Sequence, residues 1–279
     1  MEKQTITLSN GTSLAFLERS GGDTPLVLLH GITDNSRTYE PLLDLINADY
    51  HVYALDLRGH GDSSKPDALY NTEAYADDIR CFIREKASAP ALLAGHSLGG
   101  MVTCHVAATS PDLVKRIFLE DPPLYFVGNL NETYEALFNG MVMISTTLRD
   151  GSRSRADWFE VMANAPDPYS GRPGLETMGE AKINMRLDSL ENMIPKALQD
   201  AIDGSLVCDA DAQLRDISCP LVMITGNPAL GGVVTADEAA RVKRLMPGCR
   251  VINLPDVGHL IHDQKPGEWL QAINIWLAE

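Results

Sequence analysis

Apolar positions along this chain follow two periods. At 4–8 and 13–18 they alternate with polar ones on either side of Asn10-Gly11, a turn dipeptide, which predicts an antiparallel hairpin at a sheet edge. Further on, Leu26-Val27-Leu28-Leu29, Val52-Tyr53-Ala54-Leu55, Ala91-Leu92-Leu93-Ala94 and Leu221-Val222-Met223-Ile224 are apolar throughout. Such short runs predict strands buried on both faces. The stretches Val114 to Glu120 and Arg250 to Leu254 read as further strands. Helical spacing separates them, at roughly 36–46 (Tyr39, Leu42, Leu43, Ile46), 72–86, 101–108, from about 235, and from Pro266 to Leu277. Strands alternating with helices predict an α/β protein with a mostly parallel sheet covered on both faces.

Residues 124 to about 206 break that rhythm. They carry amphipathic helical patterns at 131–148, 154–164, 176–190 and 192–202, no strand, and a loop over Asn164–Gly174. The segment reads as a helical lid inserted after the strand ending at Glu120. The expected division is a core of 1–123 and 207–279 with a cap of 124–206.

Composition narrows the function classes. The 279 residues carry a formal net charge of -15, which argues against nucleic acid and against an anionic membrane surface as partners. The start lacks a long apolar core and no stretch approaches a membrane span, so a cytoplasmic protein is expected. Its five cysteines (Cys81, Cys104, Cys208, Cys219, Cys249) are widely spaced and lack metal-ligand spacing, as expected for reduced residues. No metal and no organic cofactor is implied. Oligomeric state stays open between monomer and homodimer.

Candidate chemistry centres on Gly95-His96-Ser97-Leu98-Gly99, between the run at 91–94 and the apolar helix that follows. A serine at a sharp strand-to-helix corner needs small neighbours, and Gly95 and Gly99 provide them in the pattern of a nucleophile elbow. The corner lifts the hydroxyl clear of the sheet and aims the helix N-terminus at any negative charge forming beside it. Ser97 is the candidate nucleophile. In sheets of this kind ligands bind beyond the carboxyl ends of the strands, where His30, Ser97, Asp121 and His259 all fall.

Together with His30-Gly31, the Asp56-x-Arg58-Gly59-His60-Gly61-x-Ser63 stretch and Gly258-His259 after the last strand, the elbow makes the chain resemble the α/β-hydrolase superfamily over essentially its whole length. The resemblance implies a doubly wound sheet of eight strands with a helical cap between strands six and seven. It implies His259 as general base, and the backbone N–H groups of Leu98 and Ile32 as the oxyanion hole, with Thr33 next in line. The Asp56–Ser63 stretch would be a structural turn with little part in the chemistry. His96 and His105 would be structural, and His262 would face the lid or solvent.

The acid departs from the commonest pattern. Three residues beyond Gly226, where many relatives carry it, stands Ala229. Other relatives place the acid at the end of strand six, as in haloalkane dehalogenases and some lactonases. Asp121 and Glu120 both sit there, and adjacent strand residues point to opposite faces, so only one can serve. Family spacing favours Asp121, with Glu120 as the alternative.

The methionines and aromatics of the lid, among them Met141, Met143, Met178, Met193, Trp158, Phe126 and Phe138, are expected mainly to pack its helices, the remainder lining a pocket for an apolar substrate. The resemblance then implies a serine hydrolase cleaving a small-molecule carboxylic ester or lactone through an acyl-enzyme. A carbon–carbon bond hydrolase with the same triad, or a slow-turnover small-molecule receptor of the same fold, is the alternative.

Overall fold

The computed structural model describes residues 1–88, 90–125 and 132–278. Eight strands form one sheet: β1 (Gln4–Thr7), β2 (Ser13–Arg19), β3 (Thr24–Leu29), β4 (Tyr50–Leu55), β5 (Ala91–His96), β6 (Val114–Glu120), β7 (Leu221–Thr225) and β8 (Arg250–Asn253). Their order is β1-β2-β4-β3-β5-β6-β7-β8. β1 and β2 form the expected hairpin, with Gln4 opposite Phe16, and β2 runs antiparallel to β4. All remaining pairs are parallel.

The alternation of side chains along a strand divides the core in two. Val27, Leu29, Leu93, Ile117, Leu119 and Met223 face one apolar layer, while Leu26, Leu28, Leu92, Phe118, Val222 and Ile224 face the other. On the first face pack α1 (Thr72–Phe82), α2 (Leu98–Thr109) and, farther along the chain, α8 (Ala210–Asp216) and α9 (Ala236–Leu245), through Ile79, Met101, Leu214 and Val242. The second face is covered by residues 36–45 and by α11 (Pro266–Ala278), through Tyr39, Leu42, Trp269 and Trp276. Each such buried side chain is worth about 1.5–3 kcal/mol.

Between α2 and α9 the chain inserts α3 (Glu132–Asp150), α4 (Arg155–Asn164), α5 (Gly174–Thr177), α6 (Glu180–Glu191) and α7 (Pro195–Ile202), all after β6 and before β7. These helices keep a small core of their own, built on Leu148, Trp158, Ala163, Ile183 and Leu187. Trp158 and Met193 are buried, whereas Met143 and Met178 are exposed. Phe126, expected among the packing residues, lies outside the described residues.

Several elements differ from expectation for identifiable reasons. Residues 36–45 form a tight 3-10 helix rather than an α-helix. Pro41 lies inside it, with no N–H to give and a ring that crowds the preceding turn. The helix expected over 72–86 leaves α-geometry after Phe82, runs as a π-turn over Ile83–Ala87 and stops at Ser88 in a left-handed conformation. The pattern at 176–190 splits into α5 and α6 at Gly179, whose φ is 78°. α8 falls where no element was expected.

Candidate active site

The corner at Ser97 exists because two glycines leave room for it. A β-carbon on Gly95 would lie 2.2 Å from the Gly99 carbonyl oxygen, and one on Gly99 would lie 2.2 Å from that of Leu29. Strand, turn and helix thus touch backbone to backbone. Ser97 itself adopts φ 51°, ψ -116°, and Asp121 has φ 43°. Such values cost a non-glycine residue about 1–3 kcal/mol and are tolerated only where the surroundings impose them. At Ser97 the N–H is held by the Glu120 carbonyl at 3.0 Å, and at Asp121 by the Ile224 carbonyl at 2.9 Å. Two of the three left-handed non-glycine residues among the described ones are therefore candidate site residues.

Asp121 is fully buried at the end of β6, and its carboxylate accepts three hydrogen bonds. Oδ1 takes the Gly226 N–H at 3.2 Å, and Oδ2 takes the Val233 N–H at 2.8 Å and His259 Nδ1 at 2.8 Å. The backbone donors come from the turn after β7, where the family's commoner acid would stand. That turn instead fixes the carboxylate arriving from β6. His259 Nδ1 carries the proton in this pair, which leaves Nε2 as an acceptor. Its ring is partly exposed and lies 4.6 Å from that of His96, the residue before Ser97.

Glu120, the alternative acid, points to the other face. Its Oε1 accepts the His262 N–H at 2.9 Å and His262 Nδ1 at 2.8 Å, and its Oε2 accepts Trp269 Nε1 at 2.8 Å. His262 corrects an expectation: it is 2% exposed and faces neither lid nor solvent. Its Nε2 reaches Thr38 Oγ1 at 2.7 Å. His96 is also buried, and its Nε2 donates to the His259 carbonyl at 3.0 Å. His105, on α2, pairs with Glu73 and Gln213.

The loop after β3 and the first residue of α2 supply the remaining groups. The backbone N–H groups of Ile32, Thr33 and Leu98 take no acceptor among the described residues. Leu57 N–H donates to His30 Nε2 at 3.0 Å, so the His30 proton sits on Nδ1 and donates to the Gly31 carbonyl at 2.7 Å. His60 Nε2 lies 2.7 Å from the Ile32 carbonyl oxygen. The Asp56–Ser63 turn, expected to be structural with little part in the chemistry, thus sets His60 against the peptide unit that follows Ile32. Asp56 anchors that turn. Burial works against its charge, but Lys3 and the N–H groups of Ser36 and Asp62 outweigh burial and hold its carboxyl below the usual range.

Contacts missed in the sequence come from α6. Arg186 Nη1 donates to Thr33 Oγ1 at 2.6 Å and reaches Asp34 Oδ1 at 3.1 Å, while Lys182 Nζ pairs with Asp263 at 3.0 Å. Asn35 Nδ2 donates to Ser189 Oγ at 3.0 Å. Positions 182, 186 and 189 share one helix face, so α6 holds both the loop at 33–35 and the segment after His259. No local pattern marks these residues, because their partners lie about 80 to 150 positions away in the chain.

The buried histidines divide into two kinds. Burial pushes His30 down to about 4 and keeps His60 and His96 below the ordinary value, so all three are neutral. For His262 burial acts the same way, but the charge and hydrogen bond of Glu120 outweigh it and raise the pKa. Below the unfolded value of about 6.5, the unfolded chain binds protons that His30, His60 and His96 refuse, so stability falls with falling pH. The contribution of His262 is complete below about 6.5 and is lost as pH rises through its raised folded value. Thermal melts across pH 4.5–9 should therefore peak near pH 6.5, and His262→Asn should flatten the alkaline side. That slope is at most about 1.4 kcal/mol per pH unit for one proton.

Among the described residues no group of His, Cys, Asp and Glu is arranged to hold a metal ion, and no helix is long and apolar enough to cross a membrane. Cys81 and Cys104 are buried free thiols, and Cys208, Cys219 and Cys249 are half-buried free thiols.

Known proteins share this architecture. Residues 26–272 match the model of the alpha/beta hydrolase family. The 2-(acetamidomethylene)succinate hydrolase of Mesorhizobium japonicum is 31% identical over 259 residues, covering 92% of this chain and 89% of that protein. The (E)-2-((N-methylformamido)methylene)succinate hydrolase of Acinetobacter baylyi is 29% identical, covering 99% of this chain and 98% of that protein. In structure, the N-formylmaleamic acid deformylase of Pseudomonas putida S16 superposes with a TM-score of 0.78 at 19% identity, over 98% of this chain and all of that one. This chain belongs to the alpha/beta hydrolase family.

Proposed function

We propose that this protein is a serine hydrolase that cleaves an acyl bond of a small molecule through an acyl-enzyme. The observation that carries the reading is the buried Asp121 carboxylate on His259 Nδ1, which frees Nε2 to take a proton in the neighbourhood of the strained Ser97 corner. Ser97 Oγ attacks the carbonyl carbon while His259 Nε2 takes its proton. The oxygen that becomes negative lies against the N–H groups of Leu98 and Ile32. His259 then returns the proton to the departing atom, and water, deprotonated by the same nitrogen, releases the acid.

Esters and lactones are the substrates that fit this chemistry in its simplest form. A second reading, an amide on a small carboxylic acid, is favoured by the two relatives at 29–31% identity, whose names carry an acylamino group on a succinate skeleton. The test is hydrolysis of para-nitrophenyl esters, aliphatic lactones and N-acylaminomethylene succinates, with Ser97→Ala as control. Turnover of esters or lactones that vanishes in the variant supports the first reading, and turnover confined to the acylamino compounds supports the second. Turnover that survives in Ser97→Ala would end both. Cleavage of a carbon–carbon bond in a vinylogous diketone, with no reaction on the other panels, would replace the acyl reading.

A further inference from the structure

We propose that Glu120 and His262 form a second acid–histidine pair that positions the first, holding His259 in register with Asp121 without touching substrate. The inference rests on the reading of Ser97, His259 and Asp121 given above. Its basis is a double grip. Two consecutive residues at the end of β6 project to opposite faces, and both side chains hold the same short segment. Asp121 takes the side chain of His259. Glu120 takes the backbone N–H and the Nδ1 of His262, three residues later, with one oxygen.

The second pair is itself fixed on every side. The other Glu120 oxygen is held by Trp269 Nε1 from α11, and His262 Nε2 by Thr38 Oγ1 from the 3-10 helix. Both side chains are at most 2% exposed. His96 lies between the two histidines, its ring 4.6 Å from His259 and 5.0 Å from His262, and its Nε2 donates to the His259 carbonyl. A shift of the Glu120–His262 pair is therefore passed to His259 by two routes, the backbone of residues 259–262 and the His96 ring. A buried ion pair is weak evidence for stability, since well-packed apolar side chains of similar size often do as well. What this one supplies is direction: a carboxylate bonded to both N–H and Nδ1 of one residue leaves that residue a single placement.

The test reads the placement of His259 directly. In proton NMR, imidazole Nδ1–H protons held by carboxylates resonate far downfield, one from His259 and one from His262, and the line that moves or disappears in Asp121→Asn identifies the former. Glu120→Gln should remove the His262 line and also shift or broaden the His259 line. In the same variant kcat should fall about 10- to 100-fold, the scale of a misplaced catalytic group, with KM within about twofold of wild type. A folded Glu120→Gln protein with the His259 line in place and kcat unchanged would overturn the proposal. Should Glu120→Gln fail to fold, Thr38→Val removes only the hydroxyl on His262 Nε2. It should displace both lines, and an unmoved His259 line would again overturn the proposal. The spectrum decides even if no Ser97-dependent turnover is found, so failure of the proposed function and failure of this pair remain distinguishable.

Discussion

Ser97→Ala should lower turnover by about 10⁶-fold while leaving the melting temperature within a degree or two of wild type. Both halves of that result follow from the corner. Among the described residues Ser97 Oγ makes no hydrogen bond, and the hydroxyl is not what shapes the turn. The turn is held by the Ser97 N–H on the Glu120 carbonyl, by the Gly99 N–H on the His30 carbonyl and by the closeness of Gly95 to Gly99. Alanine keeps the same β-carbon at the same φ and so inherits the same strain. On the proposed reading, the loss in rate is the loss of the atom that would form the acyl-enzyme. What remains is the contribution of oxyanion donors and binding, about 10³–10⁴ over water. Steady-state rates on the best panel substrate, a melting curve, and labelling by an organophosphonate that modifies the wild type alone would check it. A variant that melts far lower would mean that the hydroxyl carries structure as well.

The strands and the elbow were legible because their causes are local. A run such as Leu26–Leu29 is apolar on both faces whatever surrounds it, and β3, β4, β5 and β7 cover the four runs that pattern indicated. The inserted helices were legible to within a few residues for the same reason, except where Gly179 overrode the period, as Pro41 does in the 3-10 helix over residues 36–45. The partners of His262 were not legible. A histidine three residues beyond His259 carries no mark of burial, and its environment is made by Thr38, Glu120 and Trp269, which lie in three other elements. Arg186 is a second case, an ordinary polar position on an amphipathic helix until the fold brings Thr33 and Asp34 beneath it. Adjacent residues at a strand end posed a different problem. The sequence said that Glu120 and Asp121 point apart, but which face carried His259 depended on the path of the chain after β8.

Asp121→Asn should reduce turnover by about 10²- to 10⁴-fold, and it should do so without unfolding the protein. Asn accepts left-handed φ more readily than most residues, so the backbone at φ 43° is preserved. The carboxylate it replaces is an acceptor three times over. The Asn oxygen is drawn to the Oδ2 position, where both Val233 N–H and His259 Nδ1 donate at 2.8 Å. Its NH₂ then faces the Gly226 N–H, the longest of the three contacts at 3.2 Å, which is the least costly one to give up. In that arrangement His259 keeps its tautomer and loses the negative charge that steadies the imidazolium. In the reverse arrangement the NH₂ faces His259, donates to Nδ1 and moves the imidazole proton to Nε2, where it cannot receive one from Ser97. The first outcome predicts the smaller loss and the second the larger, so the size of the drop reports which way the amide points. Asp121→Ala separates geometry from charge. It strands two backbone N–H donors and places alanine at positive φ, and should lower the melting temperature clearly where Asp121→Asn does not. If Asp121→Asn retained more than about a tenth of wild-type turnover, the general-base contribution expected of His259 would be missing, and the acid role would have to leave Asp121.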